Sequence, residues 1–390
     1  MDASWKIHPE EVFATLADLV SINSVNPHYP GGPGEGQLAE YVGEFFRRNS
    51  IPFTFQPVFE GRPNVLATLP GRSGEQKLIL EAHMDTASEL GMSIEPFRPL
   101  RKNNLLYGRG SCDTKAGLAA MMHAFKAVSD AGLQPGASVA LLAAVDEEDT
   151  FRGIVKFLET GVKAEGAVVA EPTSLETVVA SKGVLRWRIH ARRAAHTSKP
   201  HLGINAITKM SKFILALDEQ LPPRYSLRQH PLLGSATLTV GTIEGGVQVN
   251  QVPESCLIEV DRRLLPGETR QSVWKELSGL IGELQGEDPE LRLEMEAPAL
   301  EDPAMETPAS ARVVQVARSV SQRAGGTGSL VGVPLRFRRQ QALASGNTQC
   351  HFGPGEYRSR PRGRGRRGAG PSGPGRRNLH ADHPGILISD

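Results

Sequence analysis

A short stretch of this chain places a histidine and two acids where predicted strands and helices meet. Residues 77–82 form an apolar run of strand length, which ends at His83 and Asp85. Side chains two residues apart leave a strand on the same face, so both are expected to point into one cleft. Asp113 comes just before a helical pattern that begins near Lys115. Because an imidazole and carboxylates are typical ligands of divalent metals, this stretch predicts a metal site.

Further acids close two other predicted strands. Four acids, Asp146 to Asp149, follow the strand predicted at 138–145, and Glu171 follows the strand predicted at 166–170. Four acids in a row often form a solvated loop, but the repeated placement of acids at strand ends favours a site. On extended backbone, adjacent side chains point to opposite sides. Glu147 and Glu148 are therefore expected to have different functions, one binding metal and the other reaching into the cleft.

The elements around these residues alternate between strands and helices. Helices are predicted at 10–22, 37–48, 115–131 and 153–159, and strands at 64–69, 77–82, 138–145 and 166–170. This alternation predicts an α/β domain with a mostly parallel sheet, helices on both faces and a ligand site at the carboxyl ends of the strands. Residues 182–300 instead follow the order strand, helix, strand, strand, helix, strand, which predicts an inserted α+β ferredoxin-like domain. We therefore expect a catalytic domain at 1–181 and 301–334, interrupted by the inserted domain.

Bulk composition narrows the class of protein. A chain of 390 residues exceeds one ordinary core, which agrees with two domains. Lys plus Arg is 44 and Asp plus Glu is 43, so net charge gives no reason to expect nucleic acid or a membrane as partner. The three scattered cysteines do not suggest a disulfide framework. No apolar run approaches the ~20 residues of a membrane span, and the first residues lack the features of a signal peptide. We expect a soluble cytoplasmic protein.

Six motifs taken together carry a resemblance to a known family. They are H-M-D-T at His83, G-R-G-S-C-D-T-K-A-G ending at Gly117, V-D-E-E around Glu147, A-E-P-T at Glu171, A-A-H-T-S-K-P-H-L-G-I-N-A at His196, and V-D-R-R-L-L-P-G-E at Arg263. In combination they resemble the M20 family of metal-dependent amidohydrolases, and within it the acetylornithine deacetylase and succinyl-diaminopimelate desuccinylase group. The resemblance covers roughly residues 12–333.

The resemblance implies a site with two zinc ions, for which cobalt is an alternative. Asp113 would bridge the ions, His83 and Glu171 would bind one of them, and Glu148 would bind the other with a histidine from the C-terminal segment. Asp85 would orient His83 and fix its tautomer. Glu147 would be the general base, which takes a proton from a metal-bridging water and passes it to the leaving amine.

The resemblance also implies residues that bind substrate. His196 in the inserted domain would stabilise the oxyanion from the partner subunit of a homodimer, and Asn250 and Arg263 would bind the substrate's carboxylate. A bidentate guanidinium suits a planar carboxylate, so the expected substrate is an N-acyl amino acid or a short peptide. Taken singly, His196 fits an ordinary loop histidine, Asn250 a turn former and Arg263 a surface strand arginine equally well.

After Pro334 the sequence departs from the family pattern. Residues 335–390 are rich in Arg, Gly and Pro and do not supply the expected histidine ligand, strand or helix, so we expect them to be disordered. Back-translation of the protein sequence, with third bases chosen to suit and read one base later, permits the family pattern in three windows, which suggests a frame shift from Leu335 onwards. The alternatives for this tail are a solvated end and a basic extension that binds nucleic acid through charge. The alternative function for the whole chain is a catalytically impaired relative that binds metal.

Overall fold

The chain forms two compact units. The computed structural model describes residues 6–192, 204–333, 349–351 and 386–387. The first unit runs to Thr177 and includes Ala309–Leu330, and the second comprises Val178–Pro308 and continues from Val331. The short pieces at 349–351 and 386–387 belong to the first unit. No helix within these ranges combines the length and the hydropathy that a membrane crossing requires.

The helices and strands of the described ranges have the following bounds. The helices are α1 (Pro9–Ser21), α2 (Gly36–Arg48), α3 (Lys115–Asp130), α4 (Arg152–Leu158), α5 (Ala206–Ser226), α6 (Arg270–Glu287) and α7 (Arg312–Arg323). The strands that precede the second unit in the chain are β1 (Phe53–Phe59), β2 (Arg62–Leu69), β3 (Gln76–His83), β4 (Leu100–Lys102), β5 (Leu105–Tyr107), β6 (Ser138–Ala144) and β7 (Gly166–Val169). The remaining strands are β8 (Thr177–Ser181), β9 (Gly183–Arg192), β10 (Gln229–His230), β11 (Gly234–Ser235), β12 (Thr237–Gly245), β13 (Ser255–Leu264), β14 (Leu293–Met295), β15 (Leu300–Asp302), β16 (Met305–Glu306), β17 (Leu330–Val333), β18 (Gln349–His351) and β19 (Ile386–Leu387).

The sheet of the first unit is mixed. Its strand order is β1-β2-β6-β3-β7-β18. The pairs β6–β3, β3–β7 and β7–β18 are parallel, whereas β1–β2 and β2–β6 are antiparallel. The prediction of a mostly parallel sheet is therefore wrong on this side. The reason is a tight connection between β1 and β2, in which Gly61 has a φ of 69°, because so short a loop can only join antiparallel strands.

Helices cover both faces of this sheet, as predicted. Alternate strand residues point to opposite faces, so Val65, Ala82 and Leu141 pack with α1, α2 and α3, while Ile79 and Leu142 pack with α4. The helices contribute buried stripes of apolar residues at helical spacing, such as Leu38, Val42 and Phe46 in α2. Both faces of the central strands are buried, which explains their nearly continuous apolar sequences.

The second unit is built around an antiparallel sheet. Its strand order is β12-β13-β9-β14, and β15 also pairs with β9. The main elements follow the order β9, α5, β12, β13, α6, β14, which is the order predicted from the sequence. One face of β9 carries Leu185, Trp187 and Ile189 into a core with α5 and α6, and the other face carries charged residues. The unit is therefore an α+β domain with one layer of helices packed on one face of the sheet. Its role as a lid and dimerisation domain stays a prediction.

Two short strands lie in the segment after Pro334. Gln349–His351 (β18) pairs in parallel with β7, and Ile386–Leu387 (β19) pairs in antiparallel fashion with β5. We predicted that residues 335–390 are disordered and add no strand, and for these five residues that prediction is wrong. A strand needs only backbone hydrogen bonds to its neighbour, so a composition poor in aliphatic residues does not exclude one. The rest of this segment lies outside the described residues.

Candidate metal centre

The candidate ligands lie at one edge of the first unit's sheet. Strands β6, β3 and β7 are adjacent and parallel, and their register pairs His83 with Ala144 and Glu81 with Val169. The carboxyl ends of the three strands therefore meet at the same edge. His83 ends β3, the turn that follows β6 carries Glu147 and Glu148, and Glu171 comes two residues after β7.

Asp113 is brought to the same edge by helix α3. It lies in the turn before the helix, and the next residue, Thr114, donates its hydroxyl to the carbonyl oxygen of Ala170 at 2.7 Å. A Cβ added to Gly117, in the first turn of α3, would lie 2.3 Å from the Cβ of Ala170. Only glycine permits so close an approach of helix and strand. The packing of Gly117 against Ala170 therefore holds Asp113 beside Glu171.

Three predicted ligands form one compact group. One ligand atom from each of His83, Asp113 and Glu171 can be chosen so that all lie within 4.8 Å of one another. His83 and Glu171 are buried, whereas the Asp113 side chain is 39% exposed. Nδ1 of His83 lies 2.8 Å from the backbone oxygen of Asp85 and 3.3 Å from its Oδ1. Since both neighbours of Nδ1 are acceptors, the ring nitrogen available to a metal ion is Nε2, which lies 3.1 Å from Oδ1 of Asp113.

Asp85 is fully buried and accepts hydrogen bonds from three other residues besides its contact with His83. The backbone N–H groups of Glu147 and Glu148 donate to its carboxylate at 3.0 and 2.8 Å, and Nδ2 of Asn26 donates at 2.8 Å. Burial alone would raise the pKa of Asp85, but the neighbouring His83 and these hydrogen bonds lower it to about 2. The carboxylate therefore remains ionised and can fix the orientation of His83.

Glu147 and Glu148 lie in a turn rather than on extended backbone. The turn covers residues 147–150, and the N–H groups of both glutamates point toward Asp85. The prediction of extended backbone at Glu147 and Glu148 is therefore wrong, because strand β6 ends at Ala144. Burial, and then the charges of Glu147 and Asp113, raise the pKa of Glu148 to about 8. Glu148 is not a member of the compact group, although Asp113 and His83 are close enough to affect its pKa.

The predicted substrate-binding residues belong to the second unit or lie outside the described ranges. Arg263 is on β13, and its Nε donates to Oδ1 of Asp261 at 2.7 Å. Asn250 lies in an exposed turn after β12. His196 lies outside the residues that the structure describes.

Four residues near the site were not predicted from the sequence. Asn26, Glu35 and Arg62 form buried hydrogen bonds with the acids of the site, and Lys115 is fully buried and donates to the backbone oxygens at the end of α1. Burial lowers the pKa of Lys115 to about 7. The signals available were weak: Glu35 is a lone acid in a Gly/Pro-rich loop, and Asn26 precedes a proline in that loop. Loop residues such as Asn26 and Glu35 have no periodicity, so sequence patterns did not single them out.

Similarity to known proteins agrees with this geometry. The model of peptidase family M20/M25/M40 matches residues 79–356, which extends beyond Pro334, where we expected the resemblance to end. Acetylornithine deacetylase from Vibrio campbellii is 29% identical over 285 residues, which cover 72% of this chain and 74% of that protein.

Two solved structures share the fold. Aminopeptidase PepT from Bacillus cereus aligns with a TM-score of 0.71 and 21% identity, covering 90% of this chain and 91% of that one. The YXEP protein of Bacillus subtilis, described as a dinuclear metal-binding peptidase, aligns with a TM-score of 0.66 and 15% identity, covering 90% of each chain. The family model spans well over half of the sequence, and the matched range includes His83, Asp113 and Glu171 of the compact group. This chain belongs to peptidase family M20/M25/M40.

Proposed function

We propose that this protein is a metal-dependent hydrolase that cleaves the amide bond of an N-acyl amino acid or a short peptide. The observation that carries the proposal is the group of His83, Asp113 and Glu171, whose ligand atoms lie within 4.8 Å of one another. Membership of the family and the similarity to an acetylornithine deacetylase support a deacetylase-like or peptidase-like reaction.

The residues fit a pair of zinc ions. An imidazole and several carboxylates suit zinc, and cobalt accepts the same ligands. His83 and Glu171 would hold one ion, Glu148 the other, and Asp113 both. The raised pKa of Glu148, caused by burial and by the charges of Glu147 and Asp113, supports a cation at this position because a cation would relieve the repulsion. When bound, such a pair of ions polarises the scissile carbonyl and lowers the pKa of water.

The residues of the chain supply the proton transfer. Glu147 would accept the proton of the attacking water and deliver it to the leaving amine, the role of a general base and then a general acid. Its backbone N–H donates to Asp85 at 3.0 Å, and the same carboxylate lies 3.3 Å from Nδ1 of His83. The buried carboxylate of Asp85 therefore contacts both the proposed base and a proposed metal ligand.

The inserted unit would bind the substrate and pair two subunits. Arg263 and Asn250 would bind the substrate's carboxylate, and His196 of the other subunit would stabilise the oxyanion. Homodimerisation is supported by β12, an edge strand of its sheet that is followed by the exposed Val247 and Val249. Exposed edge strands beside apolar side chains pair readily with a second chain. Sedimentation velocity of the purified protein tests this: a single species of 42.1 kDa would reject the dimer.

The test of function is amine release by zinc-loaded or cobalt-loaded protein. Substrates are N-acetylornithine, N-succinyl-diaminopimelate, a panel of N-acyl amino acids and short peptides. The diagnostic variant is Glu147→Gln, which removes the base but keeps the size of the side chain. We expect kcat to fall by about 10²–10⁴-fold while metal content is unchanged.

The control variant is Glu165→Gln, which lies next to the amino end of β7, away from the ligand edge, and is exposed. It should keep wild-type kcat. Absence of amine release from a folded, metal-loaded wild-type protein would reject the hydrolase and leave the impaired, metal-binding relative. Release by Glu147→Gln at the wild-type rate would reject Glu147 as the base.

A further inference from the structure

Asn26 lies between two buried carboxylates of the first unit. It is 1% exposed and lies in the loop between α1 and α2. Its side-chain nitrogen donates to Oδ2 of Asp85 at 2.8 Å and to Oδ1 of Asp146 at 3.1 Å. Its side-chain oxygen accepts from the backbone N–H of His28 at 2.9 Å, and its own backbone N–H donates to the oxygen of Thr86 at 3.0 Å. Both the nitrogen and the oxygen of the side-chain amide therefore have hydrogen-bond partners.

The first of these carboxylates, Asp85, connects a proposed metal ligand to the turn at residues 147–150, which is called the catalytic turn below. Asp85 contacts Nδ1 of His83 on one side. On the other side it accepts the backbone N–H groups of Glu147 and Glu148. The position of Asp85 therefore sets the distance between His83 and the start of the turn.

The second carboxylate holds the other end of the same turn. Oδ2 of Asp146 accepts the N–H groups of Thr150 and Arg152, each at 3.3 Å, and also the hydroxyl of Thr150. Asp146 has a φ of 67°, a left-handed conformation that a residue other than glycine keeps only when its surroundings hold it. Glu35 accepts the N–H of Asp146 at 2.8 Å, and Arg62 donates to both Glu35 and Asp146.

We infer that Asn26 is a positioning residue for the reaction, because it joins Asp85 to Asp146 and so fixes both ends of the Glu147–Thr150 turn relative to His83. The inference rests on the function proposed for this site. Its side-chain nitrogen bonds to Asp85 and Asp146, neither of which is a candidate metal ligand, so Asn26 acts through the two aspartates. Loss of this link would let the catalytic turn and the histidine move independently.

The chemistry of the position favours an amide. A neutral side chain with two N–H donors satisfies two carboxylates at once, whereas a third carboxylate would repel both. An apolar side chain of similar size would leave both carboxylates without one of their donors, and buried acceptors that lose a donor are costly. Arg62 supplies the compensating positive charge at Oδ1 of Asp146, the oxygen that Asn26 also contacts.

The experiment compares Asn26→Leu and the smaller change Asn26→Ser with Thr15→Val. The control removes a buried hydrogen bond of similar length, between the hydroxyl of Thr15 on α1 and Nε2 of His123, away from the site. Three quantities are measured for each variant: the unfolding temperature of the metal-free protein, zinc affinity by competition with a chelator, and kcat and KM for amine release.

We expect both Asn26 variants to bind zinc roughly tenfold to hundredfold more weakly, and kcat to fall by a similar factor with KM within about twofold. Thr15→Val should lose stability but keep wild-type zinc affinity and kcat. Zinc affinity within twofold of wild type in a folded Asn26 variant would overturn the inference, as would an equal loss of affinity in Thr15→Val. Because zinc affinity does not require turnover, a wild-type protein that binds zinc without releasing amine would reject the proposed function, while the affinity ratio still decides the role of Asn26.

Discussion

Replacing Gly117 with alanine tests whether the approach of α3 to β7 assembles the metal centre. Two carbon atoms pack favourably at about 3.5–4.0 Å, but the added Cβ would lie 2.3 Å from the Cβ of Ala170. Helix and strand must therefore separate by more than about 1 Å. Overpacking of this kind costs about 1–3 kcal/mol, whereas alanine in a helix gains about 1 kcal/mol over glycine. Since the overlap is severe, we expect a net loss of about 1–2 kcal/mol.

The same displacement should weaken metal binding. Asp113 lies just before α3 and Glu171 just after Ala170, so moving the helix from the strand separates two ligands of the compact group. We expect zinc affinity to fall by about tenfold or more, the size found when residues that orient metal ligands are changed. The assays are thermal unfolding of the metal-free protein and chelator competition for zinc.

A matched control isolates the effect of contact from that of helix propensity. Gly279 lies within α6 and is exposed, and an added Cβ there meets nothing within 4 Å. Gly279→Ala should therefore stabilise the protein by about 0.5–1 kcal/mol without changing zinc affinity. If Gly117→Ala stabilised the protein as Gly279→Ala does and bound zinc normally, the close packing of α3 on β7 could not be what holds Asp113 in place.

Four further predictions concern other parts of the chain. Burial lowers the pKa of His123, so below about pH 6.5 the unfolded chain binds more protons than the folded one. The free energy of unfolding should therefore decrease as the pH is lowered, by up to about 1.4 kcal/mol per pH unit. In His123→Gln the unfolding temperature should depend less on pH between pH 6.5 and 5 than in the wild type. An equal pH dependence in the two proteins would refute the contribution of His123. Arg62→Met should destabilise the protein by about 3–5 kcal/mol, measured by thermal unfolding, because it leaves the buried Glu35 without its cation. Arg263→Lys should raise KM more than it lowers kcat, since a lysine cannot bind a carboxylate in bidentate fashion; an unchanged KM would argue against carboxylate binding. Resequencing of the coding DNA tests the frame shift, and an unbroken, unambiguous frame would reject a sequencing error as its cause.

Part of the site was predictable because its ligands follow regular elements. The apolar runs that end at His83 and near Glu171 have strand length, and the helical pattern after Asp113 is strongly periodic. In an alternating strand and helix pattern, the ends of parallel strands meet at one edge. Residue type, spacing and this rule were enough to predict that His83, Asp113 and Glu171 converge, and the compact group confirms that these three side chains lie together.

Other features depended on contacts that sequence patterns do not encode. The antiparallel pairing of β1 and β2 follows from a short connection, and the link from Asn26 through Asp85 and Asp146 joins residues 59 and 120 positions apart. Loop residues with no periodicity carry no signal of their partners, because their partners are chosen by how the strands pack.

The sequence alone determined which side chains can bind metal and which elements carry them, since local spacing fixes the face and the end of each element. Only the tertiary structure decided how far apart those side chains stand and what holds them there. Distances between ligands depend on the packing of α3 on β7 at Gly117 and on buried hydrogen bonds to Asp85. Both are long-range interactions, and they form only once the sheet and its helices have assembled.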